Sequence, residues 1–110
     1  MKALVYTGVE ELIYRDEKDP VETSGESILK VHASGICGSD MHAYHGKDER
    51  RIAPLIIGHE VSGVIQNGKF QGKNAVLNPL ITCGKCEYCT SGREHLCPHR
   101  VLLGMNRPYE

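Results

Sequence analysis

Alternating apolar and polar residues predict short β-strands over most of this chain. Lys2 to Thr7 and Glu11 to Arg15 are β-type runs separated by a turn at Gly8, which indicates a hairpin. The segment from Asp16 to Gly25 is polar and contains Pro20, so we expect an exposed loop. The first quarter of the chain is therefore predicted to be a hairpin followed by a loop.

The longest alternating run, Ser27 to Cys37, predicts a strand that ends at a cysteine. One parity carries the apolar and small residues Leu29, Val31, Ala33, Gly35 and Cys37. A strand that kept this register would place Cys37 on its buried face. Ser39-Asp40 is a helix-start signal, and Met41 to His45 is expected to form one or two turns that end at Gly46.

The second half of the chain predicts another hairpin and a late strand. Lys47 to Ala53 is charged and is expected to be an exposed loop that contains both Arg50 and Arg51. The predicted elements that follow are an apolar run at Leu55 to Ile57, a strand at Val61 to Gln66, a turn at Asn67-Gly68, a returning strand at Ala75 to Leu77 and a strand at Val101 to Gly104. The chain then reaches Tyr109-Glu110 without a predicted terminating element. The pattern indicates a mostly β domain with one short helix.

Composition excludes several function classes. The chain has 110 residues, which suits one domain, and a formal net charge of -1 from 13 basic and 14 acidic residues. This balance provides no basic surface for nucleic acid, and no apolar run approaches the ~20 residues that cross a membrane. No G-x-G-x-x-G phosphate loop occurs. Five cysteines without a secretory apolar run favour a cytoplasmic protein.

Four of the five cysteines form a dense cluster near the end of the chain. Cys83, Cys86, Cys89 and Cys97 are separated by two, two and seven residues. Four thiolates at this spacing indicate a closed tetrahedral zinc site, which is a structural site because it has no open position for a reactant. A disulfide pair and an iron–sulfur cluster are the weaker alternatives, since there is no secretory segment and the ferredoxin spacing ends in three residues rather than seven.

A second candidate site combines the remaining cysteine with a histidine. Cys37 and His59 are ligand types that zinc uses at catalytic sites, and Glu60 could add a carboxylate. Their separation along the chain does not show that they meet, and a lone buried Cys or His commonly has only a structural role. Ser39 and His42 would share one helical face, and Asp40 could cap the helix or orient a ligand histidine.

These motifs together resemble the zinc-dependent medium-chain dehydrogenase/reductase family. The shared motifs are Cys37-Gly-Ser39-Asp40-x-His42, Gly58-His59-Glu60-x-x-Gly63 and Cys83-Gly-x-Cys86-x-x-Cys89-x-x-Gly92 with Cys97. They resemble the amino-terminal catalytic domain of that family and cover nearly the whole chain. Gly38, where liver-type alcohol dehydrogenases have arginine, makes the chain more similar to the polyol, sugar-acid and threonine dehydrogenase branches.

The resemblance implies a fold and a domain organisation. The expected fold is a mostly β, GroES-like, partly open and incomplete β-barrel with one short helix and a four-cysteine zinc lobe at about residues 79–99. Residues 1–110 would be a fragment of the catalytic domain, and the Rossmann cofactor domain would be absent from this chain.

The resemblance also implies roles for individual residues. Cys37, His59 and Glu60 would bind a catalytic zinc, and Cys83, Cys86, Cys89 and Cys97 a structural zinc, giving two zinc ions per chain. Ser39 would pass the substrate proton toward His42, and Asp40 would orient His59. NAD or NADP, bound by the missing domain, would accept hydride as a zinc alkoxide of a secondary alcohol becomes a carbonyl. The expected partners are a small alcohol, polyol or sugar-acid substrate and further copies of the same chain.

A non-enzymatic zinc-stabilised β module, used for assembly or binding, is the alternative function. A scaffold of that kind would need the four-cysteine lobe but has no physical need for Cys37, Ser39, His42 and His59 together.

Overall fold

The computed structural model describes residues 1–106 and consists mostly of β-strands. Its elements are β1 (Lys2–Gly8), β2 (Glu11–Asp16), β3 (Leu29–Gly35), α1 (Gly38–Tyr44), β4 (Leu55–Ile56), β5 (Glu60–Ile65), β6 (Asn74–Val76), β7 (Leu80–Ile81), α2 (Glu87–Thr90), a 3₁₀ turn (Glu94–Leu96) and β8 (Val101–Leu102). The predicted end at Tyr109-Glu110 lies outside the described residues. Among residues 1–106, no helix has the length and apolar character that a membrane crossing requires.

The strands form three separate antiparallel sheets, and within the described part of the chain they do not close into one barrel. The first sheet has the order β2-β1-β4, the second β3-β5-β6, and the third pairs β7 with β8. Both predicted hairpins, β1-β2 and β5-β6, are confirmed. The predicted mostly β, incompletely closed fold is confirmed as well.

A small set of apolar side chains on β1, β4 and α1 is buried. Val5 is fully buried, and Ala3, Tyr6, Ala43 and Leu55 are each at most 6% exposed. Removing these side chains from water favours the folded state. The helix end is tied to the hairpin turn, because Glu10 N–H donates to the Tyr44 carbonyl at 2.7 Å.

The predicted burial of one parity along β3 is wrong. Val31 is 56% exposed, and Ala33 and Gly35 are exposed as well. The pairing of β3 with β5 shifts register between Val31 and Ala33, so His32 is an extra residue that interrupts the alternation. Cys37, which follows the strand, is half-buried rather than buried in a core.

Two elements of the cysteine region were not predicted. The lobe contains the single helical turn α2, and β7 precedes it and pairs with β8 on its other side. β7 has only two residues, which is too short for an alternating pattern to identify. The pairing of β7 with β8 closes the cysteine lobe at its base.

Close approach of β3 and β5 makes Gly63 a sensitive position. A Cβ at residue 63 would lie 2.1 Å from the Lys30 carbonyl oxygen, whereas a Cβ at Gly8 would meet no atom within 4 Å. We expect Gly63→Ala to lower the free energy of unfolding by about 2 kcal/mol or more, because the backbone must move apart. Gly8→Ala, the matched control, should change it by less than about 0.5 kcal/mol. Urea unfolding of both variants measures this, and equal midpoints would contradict the close pairing.

Candidate metal centres

Antiparallel pairing of β3 with β5 brings the ends of two distant segments together. Gly35, the last residue of β3, lies opposite Glu60, the first residue of β5. Cys37 lies two residues beyond the first of these, and His59 immediately precedes the second. The ligand atoms of Cys37, His59 and Glu60 consequently lie within 4.8 Å of one another. The sequence could not show this meeting, and the strand register accounts for it.

Glu60 reaches this cluster by lying over a glycine. A Cβ at position 35 would be only 2.7 Å from Glu60 Oε2. Because Gly35 has no side chain, the carboxylate can lie against the end of β3 and face the other two ligand atoms. Glu60 is exposed, His59 has a side chain only 10% exposed, and Cys37 is half-buried. The cluster is therefore open on the carboxylate side.

Asp40 connects both halves of the cluster. Cys37 is the N-cap of α1, and its backbone N–H donates to Asp40 Oδ2 at 3.0 Å. The other carboxylate oxygen, Oδ1, lies 3.5 Å from His59 Nδ1. The same side chain thus caps the helix and faces the His59 ring, while its role in orienting that ring toward a metal stays a prediction.

His59 has one ring nitrogen that needs a partner. Nδ1 is buried and has no hydrogen bond within the described residues, although Asp40 Oδ1 is its neighbour. An imidazole whose Nδ1–H points toward a carboxylate presents Nε2 as its lone-pair donor. Such an arrangement suits a metal ligand.

Arg51 is the functional residue that sequence reasoning missed. It was predicted to lie with Arg50 on a charged surface loop, and only Arg50 does so, with a side chain 64% exposed. The Arg51 side chain is fully buried, and its guanidinium donates from Nη1 to Asp40 Oδ1 at 2.5 Å and from Nη2 to Ser39 Oγ at 2.9 Å. Nothing in the charged segment distinguishes the two adjacent arginines before the chain is folded.

Ser39 and His42 lie on α1, as predicted. Ser39 is half-buried and accepts the hydrogen bond from Arg51, whereas His42 is exposed. Within residues 1–106 no hydrogen bond joins the Ser39 hydroxyl to the His42 ring. The two residues therefore mark a half-buried and a solvent-facing position on one helix.

The four-cysteine lobe has the geometry of a closed site for one ion. The sulfur atoms of Cys83, Cys86, Cys89 and Cys97 all lie within 4.8 Å of one another, with Cys86 Sγ at 3.5 Å and Cys83 Sγ at 3.9 Å from Cys89 Sγ. Sulfurs bound tetrahedrally to zinc at about 2.3 Å would be about 3.8 Å apart. An iron–sulfur cluster distributes its thiolates over two or more irons, which fits this compact group less well. All five cysteines are free, so the disulfide alternative is wrong.

The pKa values of the lobe cysteines also favour the binding of a cation. Backbone N–H groups of Lys85 and then Cys86 lower the pKa of Cys83 to about 6. For Cys86, a hydrogen bond from the Cys89 backbone lowers the pKa, but burial and the neighbouring thiols Cys89 and Cys83 outweigh it and raise the pKa to about 11. For Cys89, burial raises the pKa, but hydrogen bonds from the Cys86 side chain and the Gly84 backbone outweigh it and lower the pKa. More than one thiolate can therefore form in the lobe, and a positive ion between the sulfurs would balance their mutual repulsion.

Comparison with known proteins identifies the family. The family described as "Alcohol dehydrogenase GroES-like domain" matches residues 23–107, which is most of the chain. The chain belongs to this family. Its GroES-like fold and its mostly β, unclosed architecture agree with that membership.

Individual members of the alcohol dehydrogenase family resemble the chain over most of its length. It is 40% identical over 92 residues to a 2-dehydro-3-deoxy-L-galactonate 5-dehydrogenase of Pseudoalteromonas atlantica, covering 77% of this chain and 27% of the relative. It is 35% identical to an L-threonine 3-dehydrogenase of Anaeromyxobacter sp. strain K, covering 98% and 34%. A solved short chain alcohol dehydrogenase of Escherichia coli CFT073, complexed with NADH, superposes with a TM-score of 0.87 at 31% identity, covering 100% of this chain and 34% of that one. The chain spans about a third of the length of these relatives.

The donor set of the three-residue cluster fits a divalent cation. A cysteine thiolate and the Glu60 carboxylate bring two negative charges within 4.8 Å of each other. The nearest buried positive charge, Arg51, is already paired with Asp40 at 2.5 Å and with Asp48 at 3.5 Å. A zinc ion would balance the two remaining charges with the sulfur, nitrogen and oxygen ligands that it prefers.

We expect the two clusters to lose metal independently. Cys37→Ala should remove the metal of the three-residue cluster and leave the fold intact, because Cys37 contributes little to the core. Cys86→Ala should remove the lobe metal and loosen residues 83–97, since these are tied together mainly by their four sulfurs. Metal content, combined with limited proteolysis of the lobe, measures both effects. Loss of both metals in either variant would contradict this division.

Proposed function

We propose that the chain is the amino-terminal catalytic-domain portion of a zinc-dependent, NAD(P)-linked alcohol dehydrogenase acting on a polyol, sugar acid or related alcohol. The observation that carries the proposal is the meeting of Cys37, His59 and Glu60 within 4.8 Å, beside Ser39 and Asp40, in a member of this family. The sugar-acid and threonine dehydrogenases among its relatives support this substrate class. Residues 1–110 would form the catalytic-domain fragment, with the zinc lobe at about 79–99 and the Rossmann domain outside this sequence.

Two zinc ions per chain are proposed, with different tasks. Cys37, His59 and Glu60 would hold the catalytic zinc, and Cys83, Cys86, Cys89 and Cys97 the structural zinc. The catalytic ion, when bound, supplies Lewis acidity that polarises the substrate oxygen, and a nicotinamide accepts the hydride. Three residues would hold the first ion and leave a position for substrate, whereas four would hold the second and close its site.

The chain's own residues would manage the proton that leaves the alcohol. The Ser39 hydroxyl accepts a hydrogen bond from Arg51, which has no acceptor, so the hydroxyl hydrogen cannot point back to it. Ser39 can therefore accept the substrate proton through its second lone pair and donate its own proton onward. His42 lies three residues further along α1 and is exposed, so it is the group that would release the proton to solvent. Asp40 would hold the His59 ring in the orientation that ligation needs.

The isolated 110-residue chain should bind two zinc ions and show no dehydrogenase activity. It contains the proposed ligands but no G-x-G-x-x-G fingerprint to position a nicotinamide. Elemental analysis gives the stoichiometry, and absorbance of reduced nicotinamide with secondary alcohols gives the activity. A single zinc in the wild-type chain that is unchanged in Cys37→Ala would favour the non-enzymatic module, and nicotinamide reduction by this chain would contradict the proposed division of labour between domains.

The chain is also proposed to associate with copies of itself. Several apolar side chains on different elements are largely exposed: Val21 and Val76 at 81%, and Ile36 and Ile52 at 77%. Burial of this surface in a homo-oligomer would be favourable. Size-exclusion chromatography coupled to light scattering should show a mass that rises with concentration, and a constant monomer mass up to high concentration would contradict this.

A further inference from the structure

We propose that Arg51 is a positioning residue for the catalytic metal site. It acts through Asp40 on the ligands Cys37 and His59, and through Ser39 on the proton path. This inference rests on the proposed function and adds a residue to it. Within residues 1–106, no hydrogen bond or ion pair joins Arg51 to Cys37, His59 or Glu60, and Asp40 is the partner through which it reaches the surroundings of Cys37 and His59.

The burial of Arg51 places its positive charge inside the protein, where it interacts with other buried groups rather than with solvent. Its side chain has no exposed surface, and that of Asp40 is 5% exposed. A buried guanidinium requires partners for its charge and its donors, and the structure supplies them from two directions. Nη1 and Nη2 donate to Asp40 and Ser39 on the first turn of α1, and Nε faces Asp48 Oδ2 at 3.5 Å in its own loop.

The Asp40 carboxylate has contacts on both of its oxygens. Oδ2 accepts the backbone N–H of Cys37 at 3.0 Å, and Oδ1 lies between Arg51 Nη1 at 2.5 Å and His59 Nδ1 at 3.5 Å. Rotation of the carboxylate would disturb the Cys37 backbone and the environment of the His59 ring together. Arg51 makes the shortest of these contacts, so it determines the orientation of the carboxylate.

The planar fork of arginine is suited to this task. Two guanidinium nitrogens reach two acceptors on adjacent residues, Asp40 and Ser39. A lysine ammonium in the same place would keep the charge but lacks the rigid second arm. The contact to Ser39 also sets the direction of the hydrogen bonds at its hydroxyl: because arginine can only donate, the hydroxyl accepts from Arg51 and donates to another group. Arg51 therefore links the orientation of the ligands to the direction of proton transfer.

Metal affinity of the 110-residue chain tests this role without an activity assay. The lobe is first filled with Zn²⁺, and Co²⁺ is then titrated into the Cys37 cluster, where its visible absorption reports occupancy and geometry. We expect Arg51→Lys to weaken Co²⁺ binding about 10-fold and Arg51→Met about 100-fold, the range for groups that orient metal ligands. Asp40→Asn combined with Arg51→Met should weaken binding less than the product of the two single effects, because both act through one carboxylate.

The neighbouring arginine provides the matched control. Arg50 carries the same charge in the same loop, is exposed, and bonds to Asp48 through Nε at 2.9 Å and Nη2 at 3.1 Å rather than to Asp40. Arg50→Met should change Co²⁺ affinity less than about 2-fold. Far-ultraviolet circular dichroism and retention of lobe zinc verify folding, and if Arg51→Met does not fold, Arg51→Lys decides.

The outcomes separate this inference from the proposed function. Wild-type binding of Co²⁺ at the Cys37 cluster, with unchanged affinity in Arg51→Lys, would overturn the role of Arg51 and leave the metal site standing. Absence of Co²⁺ binding at the Cys37 cluster of the zinc-filled wild-type chain would overturn both. If Arg50→Met and Arg51→Met weakened Co²⁺ binding equally, the loss of one positive charge from the loop would explain the effect, and the positioning role would be contradicted.

Discussion

The antiparallel pairing of β3 with β5 is the constraint on which the candidate catalytic centre depends. The strands pair from Leu29 with Ile65 at one end to Gly35 with Glu60 at the other. The register shifts by one residue at His32; if the register of Leu29 with Ile65 continued without this shift, Gly35 would lie opposite His59. The bulge thus decides which residue of the Gly58-His59-Glu60 segment lies against the end of β3, and hence which side chains can meet Cys37. Bulges commonly redirect side chains in this way near active sites.

A buried network of hydrogen bonds and ion pairs around Asp40 supports this arrangement. Asp40 holds the helix N-cap at Cys37, faces His59, and is itself held by Arg51. The helix that carries Asp40 is tied to the first hairpin by the Glu10 N–H, which donates to the Tyr44 carbonyl. Cys37, His59, Asp40 and Ser39 are therefore connected through one network around Arg51 and Asp40. The four-cysteine lobe is separate, since it is closed by the β7-β8 pair and by its own sulfurs.

Local sequence signals predicted the parts of the structure that local physics determines. The two hairpins, a short helix after Cys37 and the compact cysteine cluster all depend on turn chemistry, capping or spacing within about fifteen residues. The predicted helix start at Ser39-Asp40 was wrong, because α1 begins at Gly38 with Cys37 as its N-cap and Asp40 lies in its first turn. The burial of β3 was predicted wrongly because Val31 and Ala33 follow an alternating pattern that a bulge interrupts and that no described element covers. Arg51 could not be told from Arg50 because the difference is one of long-range folding: one guanidinium reaches Asp40 eleven residues earlier, and the other remains with Asp48 in the loop. The ligand role of Cys37 and His59 came from the family resemblance, and their proximity became visible only in the fold.

The most direct test of this account is anomalous diffraction at the zinc edge from crystals of the zinc-loaded chain. The account predicts two peaks: one at the centre of the four lobe sulfurs, and one about 2.3 Å from Cys37 Sγ and about 2.0–2.1 Å from an imidazole nitrogen of His59. A single peak in the lobe, with Cys37 Sγ and the His59 ring too far apart to share an ion, would contradict it.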